Sequence, residues 1–233
     1  MKKGIRWIAV YPLTMVSILL WAWWLSRTVT AFSETGPLER RHRIVIDAGH
    51  GGVDGGASSC TGIPESRFNL EIALKLEDLL ALLGRETVMI RREDVSVYTK
   101  GETIAQKKVS DLKERVRITN ETENAVLLSI HQNYFSDGRY SGAQVFYPKT
   151  PDSEALAGRL QKAFSAYLDP DNHRDAKVVK GVYLMDRIQC TAVLIECGFL
   201  SNPEEEARLR DPGYQRQLCA VIAVTLAGFL SNT

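Results

Sequence analysis

Three apolar runs of strand length limit what this chain can become. Arg43–Asp47 is β-branched, and Ala125–Ile130 and Ala192–Ile195 are apolar on successive residues, so neither face of these strands can meet water. Strands of that kind belong to sheets covered on both sides, typically parallel ones that alternate with helices. The intervening sequence supplies the helices. Phe68, Ile72, Leu76, Leu79, Leu80 and Leu83 recur at three- and four-residue spacing, and Gly84 follows where helices commonly end. Ser110–Glu123 reads as a charged helix with Leu112, Val116 and Ile118 inward, and Ser153–Leu168 as one with Leu156, Leu160, Phe164 and Leu168 on one face. Glu204–Leu209 and Tyr214–Leu230 close the chain as helices, while Thr87–Ile90, Gly142–Tyr147 and Val182–Met185 are expected strands. The expectation is a single α/β domain over 42–233, with a twisted, mixed but mostly parallel sheet and helices on both faces. A domain of about 190 residues buries roughly two-thirds of its unfolded surface.

The 233 residues, 45% hydrophobic and 24% charged, fit one such domain plus an appendage. A formal net charge of +1 and the absence of a basic stripe remove the electrostatic case for nucleic acid. The appendage is the N-terminus. Lys2, Lys3 and Arg6 precede Trp7–Leu25, which carries no charge and at 1.5 Å per residue just crosses a hydrocarbon core of ~30 Å. Trp21, Trp23 and Trp24 cluster at its far end, followed by Arg27, in the manner of an interfacial belt. Residues 1–27 are therefore expected to anchor the chain in a membrane, with the N-terminus cytoplasmic and the body exported. The competing reading is a signal cut near Val29-Thr30-Ala31. Residues 28–41, polar and broken by Gly36-Pro37, read as a linker. Cys60, Cys190, Cys197 and Cys219 have no C-x-x-C spacing, which argues against a thiolate zinc knuckle; export permits disulfides, and four unpaired thiols are the alternative.

Each of the three apolar runs stops on a side chain with chemistry. His50 follows the first within Gly49-His50-Gly51-Gly52, His131 ends the second and Glu196 ends the third. Burying such groups unpaired is costly, and ligands of open α/β sheets bind beyond the carboxyl ends of strands, so one shared site is the economical reading. Two imidazoles with a carboxylate suit zinc and leave a coordination position open for water. Glu65, just before the first amphipathic helix, is either that carboxylate or a favourable charge at a helix N-terminus. Glu196, after Ala192–Ile195, is a buried carboxyl whose pKa burial would raise toward the range useful for proton transfer. Its alternative is a buried salt bridge with Arg91 or Arg115. The glycine-rich turn lacks G-x-G-x-x-G and G-K-[ST], which weakens a phosphate-cradle reading. Glu71 and Glu77 read as the solvated helix face, and His42 and His173 as surface.

These residues lie in blocks that resemble, in order, the zinc-dependent N-acetylmuramoyl-L-alanine amidases of the amidase_3 type. The blocks are Asp47-x-Gly49-His50-Gly51-Gly52-x-Asp54-x-Gly56-Ala57, Glu65 with Asn69-Leu70, Arg91-x-x-Asp94, Leu112-x-x-Arg115 with Asn120, Ser129-Ile130-His131-x-Asn133, and Glu196-x-Gly198-Phe199-Leu200-Ser201-Asn202. Ala48 stands where Pro is usual, and Ile90 where Thr is usual. The resemblance covers 43–231. It implies that His50, Glu65 and His131 bind Zn2+, that Glu196 is the catalytic glutamate, and that Asn133 contacts substrate or supports the ligands. The implied reaction is hydrolysis of the amide joining N-acetylmuramic acid to L-alanine in peptidoglycan. A short, anchored member without a wall-targeting repeat, and with no room between Pro148 and Gly181 for a long occluding helix, is most similar to the germination-specific type. That type acts in spore cortex maturation toward muramic-δ-lactam, outside the cytoplasmic membrane or in the forespore intermembrane space. Control by a separate protein partner is then expected. The rivals are a zinc polysaccharide deacetylase, whose close His-x-x-x-His pair is missing here, and a catalytically silent wall-binding protein.

Overall fold

The computed structural model describes residues 42–231; the expected anchor 1–27 and linker 28–41 lie outside the described residues. In chain order the elements are β1 (Arg43–Ala48), α1 (Glu65–Leu82), β2 (Glu86–Met89), α2 (Ile104–Glu121), β3 (Ala125–Asn133), β4 (Gln144–Tyr147), α3 (Pro151–Tyr167), β5 (Lys177–Val178), β6 (Thr191–Phe199), α4 (Pro203–Arg210) and α5 (Pro212–Leu230). They build one six-stranded sheet in the order β2-β1-β3-β6-β4-β5. Pairing is parallel except between β4 and β6, so the sheet is mixed and mostly parallel, as expected. No helix among the described residues is long and apolar enough to cross a membrane.

The three apolar runs are the three central strands, and side-chain alternation sorts them onto two faces. Ile44, Ile46, Val126, Leu128, Ile130, Val193, Ile195 and Cys197 point to one face, where Phe68, Ile72 and Leu76 of α1, Leu156 and Phe164 of α3, and Leu218, Ile222 and Leu226 of α5 cover them. Val45, Leu127, Ala192 and Leu194 point to the other, against Val116 and Ile118 of α2 with Leu184 and Met185. Parity alone then dictates which polar residues share that second face: Asp47 after Val45, Ser129 and His131 after Leu127, Glu196 after Leu194. The register sets Asp47 opposite Ser129 and His131 opposite Glu196.

The structure corrects several expectations. Val182–Met185 is a turn, closed by the Asp186 N–H donating to the Val182 carbonyl at 2.9 Å, and Leu184 and Met185 plug the second face. Four apolar residues are too few for periodicity to separate strand from helical turn. The sixth strand is instead Lys177–Val178, a two-residue exposed edge with no apolar run to announce it. α2 starts at Ile104 rather than Ser110 because Thr103 and Gln106 form a capping box. β3 and β6 continue past their apolar runs to Asn133 and Phe199, so His131 and Glu196 sit within strands rather than at their tips. Glu77 is buried, held by both guanidinium nitrogens of Arg92 at 2.7 and 2.5 Å and by Thr87. His42 is half-buried with an unpartnered Nδ1, whereas His173 is exposed as expected. The four cysteines are unpaired.

One buried ion pair ties α2 to the sheet. Asp47, fully enclosed, accepts from Arg115 and from the Ser129 hydroxyl at 2.7 Å. Burial pushes the Asp47 carboxyl up, but the charge of Arg115, aided by His131 and Ser129, holds it below the usual carboxylate range. A carboxyl whose folded pKa lies below its unfolded value of about 3.9 stabilises the fold above that pH and loses the contribution as pH falls through the folded pKa. Asp47→Asn, which leaves Asp111 as the one carboxylate paired with Arg115, is expected to cost about 1–3 kcal/mol at pH 7. Urea midpoints measured from pH 7 down to pH 3 check this: the wild type loses stability below pH 4, and the variant starts lower and slopes less there.

Candidate metal centre

His50 leaves β1 on a turn that few sequences can make. Its own φ is +61°, and those of Gly51 and Gly52 are +131° and +59°. A non-glycine residue with positive φ is strained and needs its surroundings to hold it. Two buried arginines do so. Arg91 donates to the carbonyls of Ala48 (2.8 Å), Gly49 (3.0 Å) and Ser66 (2.8 Å), and Arg115 to those of Ala48 (3.0 Å) and His50 (2.7 Å). Neither pairs with Glu196, which removes the salt-bridge alternative for that residue. Asp54 accepts from His50 Nδ1 at 3.1 Å and is itself held by Lys108 at 3.0 Å, which aims the other ring nitrogen inward.

Glu65 is the first residue of α1, so both sequence readings of it describe one position. Its buried carboxylate accepts from the backbone N–H groups of Ala57 (3.1 Å) and Gln132 (3.2 Å) and from Asn69 Nδ2 (3.1 Å). His50 Nε2 approaches it at 3.3 Å and His131 Nδ1 at 3.0 Å. Burial alone would raise the Glu65 pKa; hydrogen bonds and charge from His131 and His50 drive it far below the carboxylate range instead. Burial would lower His50, but Glu65 and Asp54 raise it. One ligand atom from each of His50, Glu65 and His131 lies within 4.8 Å of the others, and this is the group among the described residues that can hold a metal ion. Two imidazoles and a carboxylate converging on one point fit zinc by donor type.

Glu196 faces His131 across the β3–β6 pairing. Its Oε2 is buried without a hydrogen-bond partner. Burial pushes its pKa up to about 7, with His131 pulling down and the Glu65 charge pushing up. His50, His131 and Glu196 line one cavity of about 330 Å3, to which Val182, Leu184 and Leu194 give apolar surface and α2 contributes Lys107, Lys108, Asp111, Leu112 and Arg115. Asn133 lies outside that wall, past a register shift between His131 and Asn133, with its carbonyl accepting from the Leu200 N–H at 2.8 Å. From the sequence, Arg91 and Arg115 entered only as alternative salt-bridge partners of Glu196, and Asp54 had no individual role. Their signal was present in the spacing of Asp54 four residues after His50 and in the place of Arg91 directly after the Thr87–Ile90 run.

The family profile of N-acetylmuramoyl-L-alanine amidase (Amidase_3) matches residues 44–227. The chain is 32% identical to the germination-specific N-acetylmuramoyl-L-alanine amidase of Bacillus subtilis, over 95% of this chain and 93% of that one. Among solved structures, it is similar to the CwlD amidase of Clostridioides difficile in complex with the GerS lipoprotein, with TM-score 0.79 and 36% identity over 82% of this chain and 99% of that one. The catalytic domain of CwlV from Paenibacillus polymyxa gives TM-score 0.66 and 30% identity over 82% and 99%.

The close approach of Gly49 to His131 yields a direct check. A Cβ at Gly49 would stand 2.3 Å from His131 Cε1 and Nε2, so Gly49→Ala displaces that imidazole. Titrating zinc into metal-stripped protein is expected to raise the wild-type melting temperature, by about 3 kcal/mol of added stability at a hundredfold excess over Kd. The rise is expected to be absent in His131→Ala and to need at least about tenfold more zinc in Gly49→Ala.

Proposed function

The chain belongs to the N-acetylmuramoyl-L-alanine amidase family and is a peptidoglycan amidase, and from that premise we propose that His50, Glu65 and His131 hold a zinc ion while Glu196 moves the protons of the hydrolysis. The convergence of three ligand atoms near a glutamate whose Oε2 is buried and unpartnered carries this reading. Bound there, zinc supplies Lewis acidity to the scissile carbonyl and to water. The protein's own groups do the rest. Asp54 fixes the His50 tautomer, and the N–H donors around Glu65 keep it ionised and oriented. Glu196, poised near neutrality by burial, accepts a proton from the attacking water and returns it to the departing alanine nitrogen. Val182, Leu184 and Leu194 keep bulk water from its side of the cavity.

The finer biological reading is action on spore cortex, releasing stem peptides on the way to muramic-δ-lactam. Likeness to a germination-specific amidase over nearly the whole of both chains supports it. The similar CwlD amidase is seen with a lipoprotein, which supports a membrane-facing protein partner here too. Cell-wall work places the body outside the cytoplasm, and the uncharged Trp7–Leu25 segment with its basic flank supports tethering by residues 1–27.

Digestion of purified peptidoglycan by the zinc-loaded full chain, followed by mass spectrometry, tests the assignment. Peptides with new L-alanine amino termini are expected. Glu196→Gln, isosteric and uncharged, is expected to lower kcat by about 10²–10⁴-fold with zinc affinity unchanged. Unimpaired turnover in that variant would refute the role of Glu196. Acetate release instead of peptide would favour a deacetylase, and binding without cleavage in the presence of the partner would favour a silent wall-binding protein.

A further inference from the structure

The lysine and arginine side chains around the cavity are paired with carboxylates except at one place. Three cations line it, all on α2: Lys107, Lys108 and Arg115. Lys108 is paired with Asp54 at 3.0 Å, and Arg115 with Asp47 and Asp111. Lys107 is half-buried and has no carboxylate within ion-pairing distance among the described residues. Its natural partner by helical spacing is Asp111, one turn on. That carboxylate is committed elsewhere, to Arg115 Nε at 2.6 Å and to the Val97 N–H at 2.7 Å. The Lys107 ammonium rests instead over the ring of Tyr98, 5.2 Å from its centroid, which restrains it without neutralising it. Lys107 also stands outside the sequence blocks shared with the amidases, the nearest of which begins at Leu112. It is a feature of this chain's cavity rather than of the hydrolytic machinery.

Resting on the amidase reading, we propose that Lys107 is a specificity residue that binds a carboxylate of the stem peptide in the hydrolysed substrate. The chemistry of the substrate selects the peptide side. An N-acetylated glycan strand is uncharged once its lactyl carboxyl is tied into the scissile amide. The anions a substrate brings are therefore peptide carboxylates, and that of the glutamyl residue following L-alanine lies closest to the bond broken. An ammonium restrained by Tyr98 at the cavity wall favours such a group over its neutral amide, because a hydrogen bond to a charged partner is worth more than a neutral one. Lys107 touches neither Glu196 nor the candidate ligands, so its effect belongs to KM rather than to the chemical step.

The test uses the zinc-loaded full chain and two soluble N-acetylmuramyl peptides, identical except that the glutamyl α-carboxylate is free in one and amidated in the other. Wild type is expected to prefer the free acid by about tenfold or more in kcat/KM, the scale of one charge-assisted hydrogen bond, with the preference shrinking in high salt. Lys107→Met is expected to bring the two substrates within about twofold, through KM with kcat nearly unchanged, and Lys107→Arg to keep the preference. Equal cleavage of both by wild type, or an undiminished preference in Lys107→Met, overturns the role of Lys107 and leaves the amidase standing. Cleavage of neither substrate by wild type counts against the amidase reading itself, and against this inference with it. Melting temperatures of both variants within a few degrees of wild type separate a binding role from a structural one.

Discussion

The clamp of Arg91 and Arg115 on the carbonyls of residues 48–50 is the interaction on which the rest of the site depends. Between them the two guanidinium groups cap Ala48, Gly49 and His50 just where β1 turns into a left-handed backbone. A turn of that kind inside a protein leaves carbonyls that need donors, and a planar guanidinium with several N–H groups serves more than one carbonyl at once. Two cations so close repel, and burial together with Arg115 lowers the pKa of Arg91. Asp47 and Asp111 compensate on the Arg115 side and raise its pKa. The loop that presents His50 is thus locked from the β2 side by Arg91 and from α2 by Arg115.

That arrangement explains why a site assembled from distant segments can be rigid. Glu65 comes from a helix start, His131 and Glu196 from neighbouring strands and His50 from a turn, yet each is held by backbone or by a buried polar partner. Glu65 is fixed by two N–H groups and by Asn69, and Asn69 also donates to the Gly49 carbonyl, joining helix to turn. Glu196 is the exception, with an oxygen left without a partner in an apolar setting. A group that must exchange protons cannot be fully satisfied in one protonation state, and an unpartnered carboxyl oxygen is what the residue proposed to move protons presents.

Much of this was legible beforehand because it follows from short-range rules. Short β-branched or apolar runs had to be central strands, and Phe68 to Leu80 had to be a helix against them. His50, His131 and Glu196 stood out as candidates because polar groups of that kind are costly at the ends of buried strands unless they share a task, whereas Glu65, before a helix, stood out only through the family blocks. The failures were also local in origin. Val182–Met185 and Lys177–Val178 were misjudged because a few residues carry no period. Glu77 was read as solvated because nothing nearby in sequence shows that Arg92 will close over it.

The sequence by itself determined the layers of the sheet, the family blocks and the candidate side chains, since alternation, periodicity and residue chemistry are properties of short segments. Tertiary structure decided how those side chains meet. Register placed His131 opposite Glu196 and Asp47 opposite Ser129, and strand order set β6 beside β3 rather than at an edge. It also decided which charges were neutralised and which were left over, so that Lys107 stays unpaired while Lys108 next to it does not. Pairing of charges depends on distances between elements far apart in the chain, and those distances exist only once the core of the sheet has formed.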